Sequence, residues 1–256
     1  MKIYGNTILI TGGAIGIGFA LAEKFVALNN KVIVCDVAKV SLVHAKQRIK
    51  DLRIEACDVT DDASIIKLVK KLEEMGGINV LINNAAVGKN HDLLDENFSA
   101  DDAWDELNVN FLGPVRVTKH FLPLLQKQKD AVIINISAGL AFIPYYKSPM
   151  YSASKSALHS YTMAFRHQLK LKNSPIKVIE IFPPAVDTRM SRNQVGVISA
   201  EKFAELVIKA LETDKTEIVI GDTKKLYFMS RFMPKAGFKF INSIMDQKSE
   251  NLDENV

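Results

Sequence analysis

A doubly wound α/β domain, one parallel sheet of about seven strands with helices on both faces, is the fold this sequence predicts. Three observations predict it. Short β-branched runs alternate with longer helical patterns from end to end of the 256 residues. Most of those runs are nearly continuous in apolar residues, as strands covered on both faces must be. And no Ser/Gly/Pro-rich linker or short-period repeat divides the chain, so the alternation belongs to a single domain.

The elements follow in order. Thr7–Thr11 (TILIT) reads as the first strand and runs into a glycine-rich turn and a helix over 15–28. Lys31–Asp36 (KVIVCD), a helix over 39–51, Arg53–Asp58 (RIEACD) and a helix over 61–75 continue the alternation. Asn79–Asn83 (NVLIN) precedes a long helical pattern over 101–127, and Ala131–Ser137 (AVIINIS) another over 151–172. Lys177–Phe182 (KVIEIF), a helix over 199–213 and Glu217–Ile220 (EIVI) complete the sheet. Residues 1–245 form the domain, 223–245 being a terminal helical segment, and 246–256 an acidic tail expected to be disordered.

Composition removes several classes of function. The chain is 48% hydrophobic and 24% charged, an ordinary globular balance. Two cysteines, Cys35 and Cys57, support neither a disulfide framework nor a four-cysteine metal site and suit a reducing compartment. Residues 3–22 carry no charge and end in Ala20-Leu21-Ala22, imitating a secretory leader. Glycines at 5, 12, 13, 16 and 18 interrupt what a leader or a membrane span keeps apolar. The expected location is therefore cytoplasmic, with no transmembrane segment.

The five histidines show no H-x3-H or H-E-x2-H spacing, so no metal is expected. No G-x-S-x-G marks a hydrolase nucleophile. A net charge of +4 gives no case for nucleic acid. That charge is uneven, however: 246–256 carries four acids and one lysine, whereas 224–245 carries Lys224, Lys225, Arg231, Lys235 and Lys239 and no acid. Such a segment commonly packs on its own domain with lysines outward. Its interleaved Phe228, Phe232, Met233, Phe238, Phe240 and Ile241 also suit an anionic membrane surface or a partner subunit.

The first strand ends in Thr11-Gly12-Gly13-Ala14-Ile15-Gly16-Ile17-Gly18. Glycines let the backbone approach a ligand, and the following helix N-terminus offers N–H groups and a positive dipole end to phosphate. Glycine also serves plain close packing, so the turn alone is weak evidence. The second strand strengthens it. Asp36 closes that strand where a carboxylate can accept from both ribose hydroxyls of an adenosine. The same carboxylate repels a 2′-phosphate, and neither Ile15 nor Val37 supplies a cation for one. NAD is expected, NADP less so. Phe19 after Gly18 excludes a kinase-type phosphate loop, which needs lysine there.

The spacing Gly12-x3-Gly16-x-Gly18 resembles that of the short-chain dehydrogenase/reductase family, T-G-x3-G-x-G. The resemblance continues at Asp58-Val59, where the family holds the adenine ring, and at Asn83-Asn84-Ala85-Ala86, a variant of its N-N-A-G. It spans the chain to about residue 220. It implies a Rossmann-like fold and cofactor contacts at Gly12, Ile15, Gly16, Ile17, Gly18, Asp36, Val37, Asp58, Val59, Asn84, Ala85 and Ala86. Pro183-Pro184-Ala185-Val186-Asp187-Thr188 stands where the family has P-G-x-V-x-T. There the Val186 backbone and Thr188 would meet the carboxamide.

Tyr151-Ser152-Ala153-Ser154-Lys155 opens a helix and sets phenol and ammonium on one face. A phenol ordinarily titrates near ~10. A neighbouring ammonium and an oxidised nicotinamide favour its anion, and two to three units of lowering require roughly 3–4 kcal/mol. The pair matches the family's catalytic Tyr and Lys, which implies Tyr151 as acid/base and Lys155 as its tuner and ribose contact. Asn110 lies mid-helix four residues before Pro114, whose missing N–H leaves the Asn110 carbonyl without its helical partner. The matching family residue holds a relay water there.

One position departs from the pattern. The family's catalytic Ser lies thirteen residues before the Tyr, and here that position is Ala138, with Ser137 beside it. A one-residue shift turns a strand side chain to the opposite face, unless a bulge restores its direction. Either Ser137 or nearby Thr/Tyr hydroxyls orient the substrate and activity survives, or the chain is a slow or inactive nucleotide-binding scaffold or sensor. The expected activity is hydride transfer between NAD(P) and a small alcohol or carbonyl substrate.

Gly139–Pro144 together with Pro183–Val186 resembles a bacterial branch labelled as the oxidoreductase of the lipoteichoic-acid D-alanylation operon, which defines no substrate. The family's habit implies a homodimer or homotetramer through the helices near 101–127 and 151–172. Residues 188–199, with Met190, Val195, Val197 and Ile198, read either as a cover for a modest apolar substrate or as a plain loop.

Overall fold

The computed structural model describes residues 1–188 and 197–253. Among them, seven parallel strands form one sheet: β1 (Thr7–Thr11), β2 (Lys31–Asp36), β3 (Arg53–Ala56), β4 (Val80–Asn83), β5 (Val132–Ile136), β6 (Lys177–Phe182) and β7 (Glu217–Val219). Their order is β3-β2-β1-β4-β5-β6-β7. The chain winds outward from β1 to β3, returns to place β4 beside β1, and winds outward the other way. A crevice opens at the carboxyl ends where the winding reverses, and ligands bind there in such sheets.

The apolar runs divide their residues between two cores. Ile8 and Ile10 of β1, with Val32, Val34, Val80 and Ile82, face one side, under α1 (Gly16–Ala27), α2 (Lys39–Arg48) and α7 (Ala200–Leu211). Leu9, Ile33 and Leu81 face the other. There they meet α3 (Asp62–Glu74), α5 (Gly113–Gln126) and α6 (Pro149–Leu171). The period-2 alternation of a strand thus reads as unbroken hydrophobicity, because both faces need it. A polar ladder crosses the second layer: Asn83 Nδ2 donates to Asn135 Oδ1 (2.9 Å) and Thr118 Oγ1 (3.1 Å), and Asn135 Nδ2 donates to Thr162 Oγ1 (2.8 Å). It fixes α5 and α6 against the strands whose ends carry the site.

Several element boundaries differ from expectation, the helix over 39–51 ending at Arg48 among them, and three of the differences have a plain local reason. β3 stops at Ala56 because Asp58 turns the chain, its Oδ1 accepting from the Thr60 amide (2.8 Å) and hydroxyl (2.7 Å). The helical pattern over 101–127 is α4 (Ala100–Leu107), a π-helical turn at Asn108–Leu112, and α5. Pro114 cannot donate to the carbonyl four residues back, and the Gly113 amide reaches to Asn108 instead. Third, the terminal segment forms α8 (Thr223–Phe232) and α9 (Pro234–Asp253). The α9 backbone continues past 245 because no Gly or Pro after Gly237 interrupts it.

Candidate active site

The tips of β1 and β4 are laced together. Thr11 Oγ1 accepts from the amides of Asn84 (3.0 Å) and Ala85 (3.1 Å), and Asn84 Nδ2 donates to the carbonyls of Thr11 (3.0 Å) and Gly12 (2.9 Å). The glycines fit this lacing. Gly12 has φ +60°, and a Cβ on it would lie 2.7 Å from Ala85 Cα. One on Gly18 would lie 2.5 Å from both Asn84 Nδ2 and the Gly12 carbonyl. Ile15, at the N-cap of α1, gives the first turn, Gly16 and Ile17 included, no side-chain acceptor. That is the condition under which first-turn amides serve an anion. The close packing that the sequence offers as one reading is present, and first-turn amides without a side-chain acceptor are compatible with the other, a phosphate cradle.

Around this loop the structure gathers most of the residues expected to hold a dinucleotide. Asp36 ends β2 half-buried, its carboxylate accepting from the amides of Ala14 (3.4 Å) and Ala38 (3.0 Å), with Val37 exposed beside it. Thr188 comes to the loop from beyond β6: a Cβ on Gly16 would lie 3.1 Å from its Cγ2. Val186 is pinned by an isolated bridge to Ile198. Ala86 follows Ala85 into the crevice, half-buried. Val59 buries its side chain against Gly113, so only its backbone is available. Met190 and Val195 lie outside the described residues. The donor set, the backbone cradle and the carboxylate fit a nicotinamide dinucleotide.

Beyond β5, α6 presents Tyr151 and Lys155 one turn apart. Lys155 is 2% exposed; its Nζ donates to the Ile136 carbonyl (3.0 Å) and lies 5.7 Å from the Tyr151 ring centroid. Burial pushes its ammonium down to about 8, against the pull of the Glu180 carboxylate. Burial, with the charge of Glu106 behind it, pushes the Tyr151 phenol up to about 12. The lowering expected from the sequence counts the charge of an oxidised nicotinamide together with Lys155. The chain's own groups by themselves raise the phenol, while the ammonium is engaged with a backbone carbonyl.

Asn110, fully buried in the π-turn, uses its side chain as a clamp. Its Oδ1 accepts from the Val87 amide (2.8 Å), and its Nδ2 donates to the Val87 carbonyl (2.8 Å) and Ser154 Oγ (3.1 Å). Ser154 Oγ donates in turn to the Tyr151 carbonyl (2.7 Å). The loop after β4 is thereby tied to the helix that carries the phenol.

Ser137 makes no hydrogen bond to Tyr151. The ladder runs on without a bulge, the Ser137 amide donating to the Ile181 carbonyl (2.8 Å) and Ala138 remaining extended (φ −156°, ψ 158°). The Ser137 hydroxyl keeps the face of Asn135 and looks toward Glu180, where it helps hold that carboxyl down, but makes no hydrogen bond of ordinary geometry. A one-residue offset on an unbroken strand therefore leaves no hydroxyl at position 138.

Two buried histidine–carboxylate contacts went unread in the sequence. His159 Nδ1 meets Glu180 Oε2 at 2.9 Å, and His91 Nε2 meets Glu106 Oε2. Burial raises Glu180, and its hydrogen bond raises His159. The available signal was a carboxylate inside the apolar strand KVIEIF and a histidine four residues after Lys155. Among the described residues no group of His, Cys, Asp and Glu is arranged to hold a metal ion.

The model of the short chain dehydrogenase family matches residues 6–196. The uncharacterised oxidoreductase DltE of Bacillus subtilis (strain 168) is 38% identical over 226 residues, covering 85% of this chain and 89% of its own. A short chain dehydrogenase/reductase from Burkholderia phymatum, solved in complex with NAD, matches with a TM-score of 0.82 at 23% identity over 90% of this chain and 93% of that one. A short chain dehydrogenase from Burkholderia cenocepacia J2315, solved in complex with NADP, also reaches 0.82, at 25% identity over 92% and 97%. The doubly wound architecture is that of these structures.

Proposed function

Since this chain belongs to the short-chain dehydrogenase family, we propose that it is an NAD-dependent oxidoreductase acting on a small alcohol or carbonyl, with Tyr151 as its acid/base. The observation that carries this reading is a fully enclosed Lys155 beside Tyr151 at the mouth of the crevice. Burying an ammonium is unfavourable, and such groups concentrate at functional sites.

The glycine loop, Asp36, Asn84, Val186 and Thr188 would hold the dinucleotide. When bound, the nicotinamide supplies or accepts the hydride. Asp36 supports NAD over NADP, because its carboxylate repels a 2′-phosphate. Lys155 would hold the ribose, and Asn110 sets the loop after β4 at its distance from α6. Tyr151 would deliver a proton to the substrate oxygen as it gains negative charge in reduction, and take the hydroxyl proton in oxidation. Assembly as a homodimer or homotetramer through α5 and α6 belongs to the same reading.

A second reading, a nucleotide-binding scaffold without turnover, is favoured by Ala138 and by the turning of Ser137 toward Glu180. One experiment separates the two. A carbonyl panel is screened with NADH and NADPH, with nucleotide binding followed by calorimetry, for the natural chain, Tyr151→Phe and Ala138→Ser. The enzyme reading expects turnover in the natural chain and its loss by at least a thousandfold in Tyr151→Phe, with binding retained. Unchanged turnover in Tyr151→Phe removes the phenol from the mechanism. Turnover that emerges only in Ala138→Ser supports the scaffold.

A further inference from the structure

The last two helices are fastened to the body but leave one face bare. Thr223 Oγ1, at the start of α8, donates to the Pro183 carbonyl (2.9 Å). Asn242 of α9 donates to the Pro144 carbonyl (3.2 Å) and accepts from the Tyr146 amide (2.9 Å). Gly237 sits so close on Ile143 and Met229 that a Cβ there would meet them at 2.6 and 3.0 Å. These contacts fix which way the helices face.

The outward side is aromatic as well as basic. Phe228 is 53% exposed, Phe232 71%, Met233 46%, Phe238 47% and Phe240 40%. Phe228 and Phe232 lean on each other, ring centroids 4.7 Å apart, rather than on the core. Lys224, Phe228, Arg231 and Phe232 fall on one stripe of α8 by their spacing, as do Lys235, Phe238 and Lys239 on α9. Between Asp222 and Asp246 there is no acid, and Asp222 itself pairs with Lys225 at 3.0 Å. Packing on the domain with only lysines outward, the common habit of such a segment, leaves these rings unexplained.

We propose that the α8–α9 face docks on an anionic phospholipid surface, its phenylalanines entering the acyl boundary and its cations pairing with headgroup phosphates. Charge selects this occupant over a second copy. A two-fold interface sets a patch against itself, so Lys224, Arg231, Lys235 and Lys239 would face their own copies. Lys225 alone has an acid, Asp222, beside it, and the acids of α9 come only from Asp246 onward. An anionic bilayer answers both halves of the composition at once. No helix among the described residues is long and apolar enough to cross a membrane, so the contact lies along the surface. The docking uses neither Tyr151 nor Lys155 and stands apart from the proposed reaction.

The test is co-sedimentation of the full chain with vesicles of equal parts phosphatidylglycerol and phosphatidylcholine, against pure phosphatidylcholine. The anionic vesicles are expected to bind at least tenfold more protein. Phe232→Ser should lower that binding about tenfold, and Lys235→Gln and Lys239→Gln about fivefold each, with melting temperatures unchanged. The Lys→Gln variants keep the test valid if the Phe variant misfolds. Equal binding to both vesicle types, or binding indifferent to Phe232 and the lysines, overturns the proposal. So does a lipid-free dimer that Phe232→Ser dissolves, since the face is then covered by a second copy.

Discussion

Replacing Lys155 by Met should change how folding stability depends on pH, by an amount the structure supplies. Burial lowers the ammonium from an ordinary 10.5 to about 8. Each unit corresponds to ~1.4 kcal/mol, so the charged lysine costs the folded state on the order of 3 kcal/mol at neutral pH. The sign follows from proton binding. Between about 8 and 10.5 the unfolded chain holds a proton that the folded chain has shed, so stability rises with pH across that window. Below about 8 both states are protonated and the full cost is present.

Methionine is similar in length, carries no proton, and lacks that slope. It also leaves the Ile136 carbonyl without its donor, a loss of about 1–3 kcal/mol that does not depend on pH. The robust quantity is therefore the difference between the two proteins as a function of pH. Urea denaturation at 25 °C, run from pH 7 to 10.5 with the slope of each transition checked, measures it. Stability of the variant minus that of the natural chain should be about 3 kcal/mol larger at pH 7 than at pH 10.5. Two curves running parallel across that range would refute a buried ammonium at this position.

Two further substitutions probe the surroundings. Glu180→Gln removes the carboxylate that raises His159, so the His159 titration followed by NMR should move down. The natural pair's stabilising share is present below pH ~6.5 and fades as pH rises through the folded histidine value, so the variant should lose about 1–3 kcal/mol at pH 6 and less at pH 9. An unmoved histidine would mean that the two side chains are not paired. Gly18→Ala drives a methyl into Asn84 Nδ2 and the Gly12 carbonyl. It should destabilise the fold by about 1–3 kcal/mol and weaken NAD binding by calorimetry at least tenfold, whereas wild-type affinity would show that the loop does not hold the nucleotide.

The strands and the phosphate loop were legible because their signals are local. TILIT must be apolar on both sides, since Ile8 and Leu9 enter different cores, and Gly12 and Gly18 stand where adjacent backbone leaves no room for a Cβ. The site's electrostatics were not legible, because each partner comes from a distant element. Glu180 reads as one polar letter in an apolar strand until α6 brings His159 to it. The Tyr151 phenol was expected to fall under Lys155 and an oxidised nicotinamide together. In the chain by itself burial raises it, and the charge of Glu106 from the distant α4 adds to the rise. The π-turn shows both cases: Asn110 and Pro114 announce a break, but the reach of the Gly113 amide to Asn108 depends on how α4 and α5 pack.

The departure at Ala138 and the unread Glu180–His159 pair bear on one question, whether this chain turns over substrate. A scaffold that only binds nucleotide has use for the glycine loop, for Asp36 and even for a lysine at the ribose. It has no use for a phenol held beside that lysine through the Asn110–Ser154 clamp, which is built from a buried asparagine in a π-helical turn. Nor does it gain from a buried carboxylate whose charge works against the desolvation of the ammonium. Glu180 does that, while one of its oxygens and the Ser137 hydroxyl are left without ordinary partners. Unsatisfied buried polar atoms are unfavourable and survive where something else requires them. The Glu180 charge works to keep Lys155 protonated in a place that would discharge it, and this supports the proposed enzyme over the sensor.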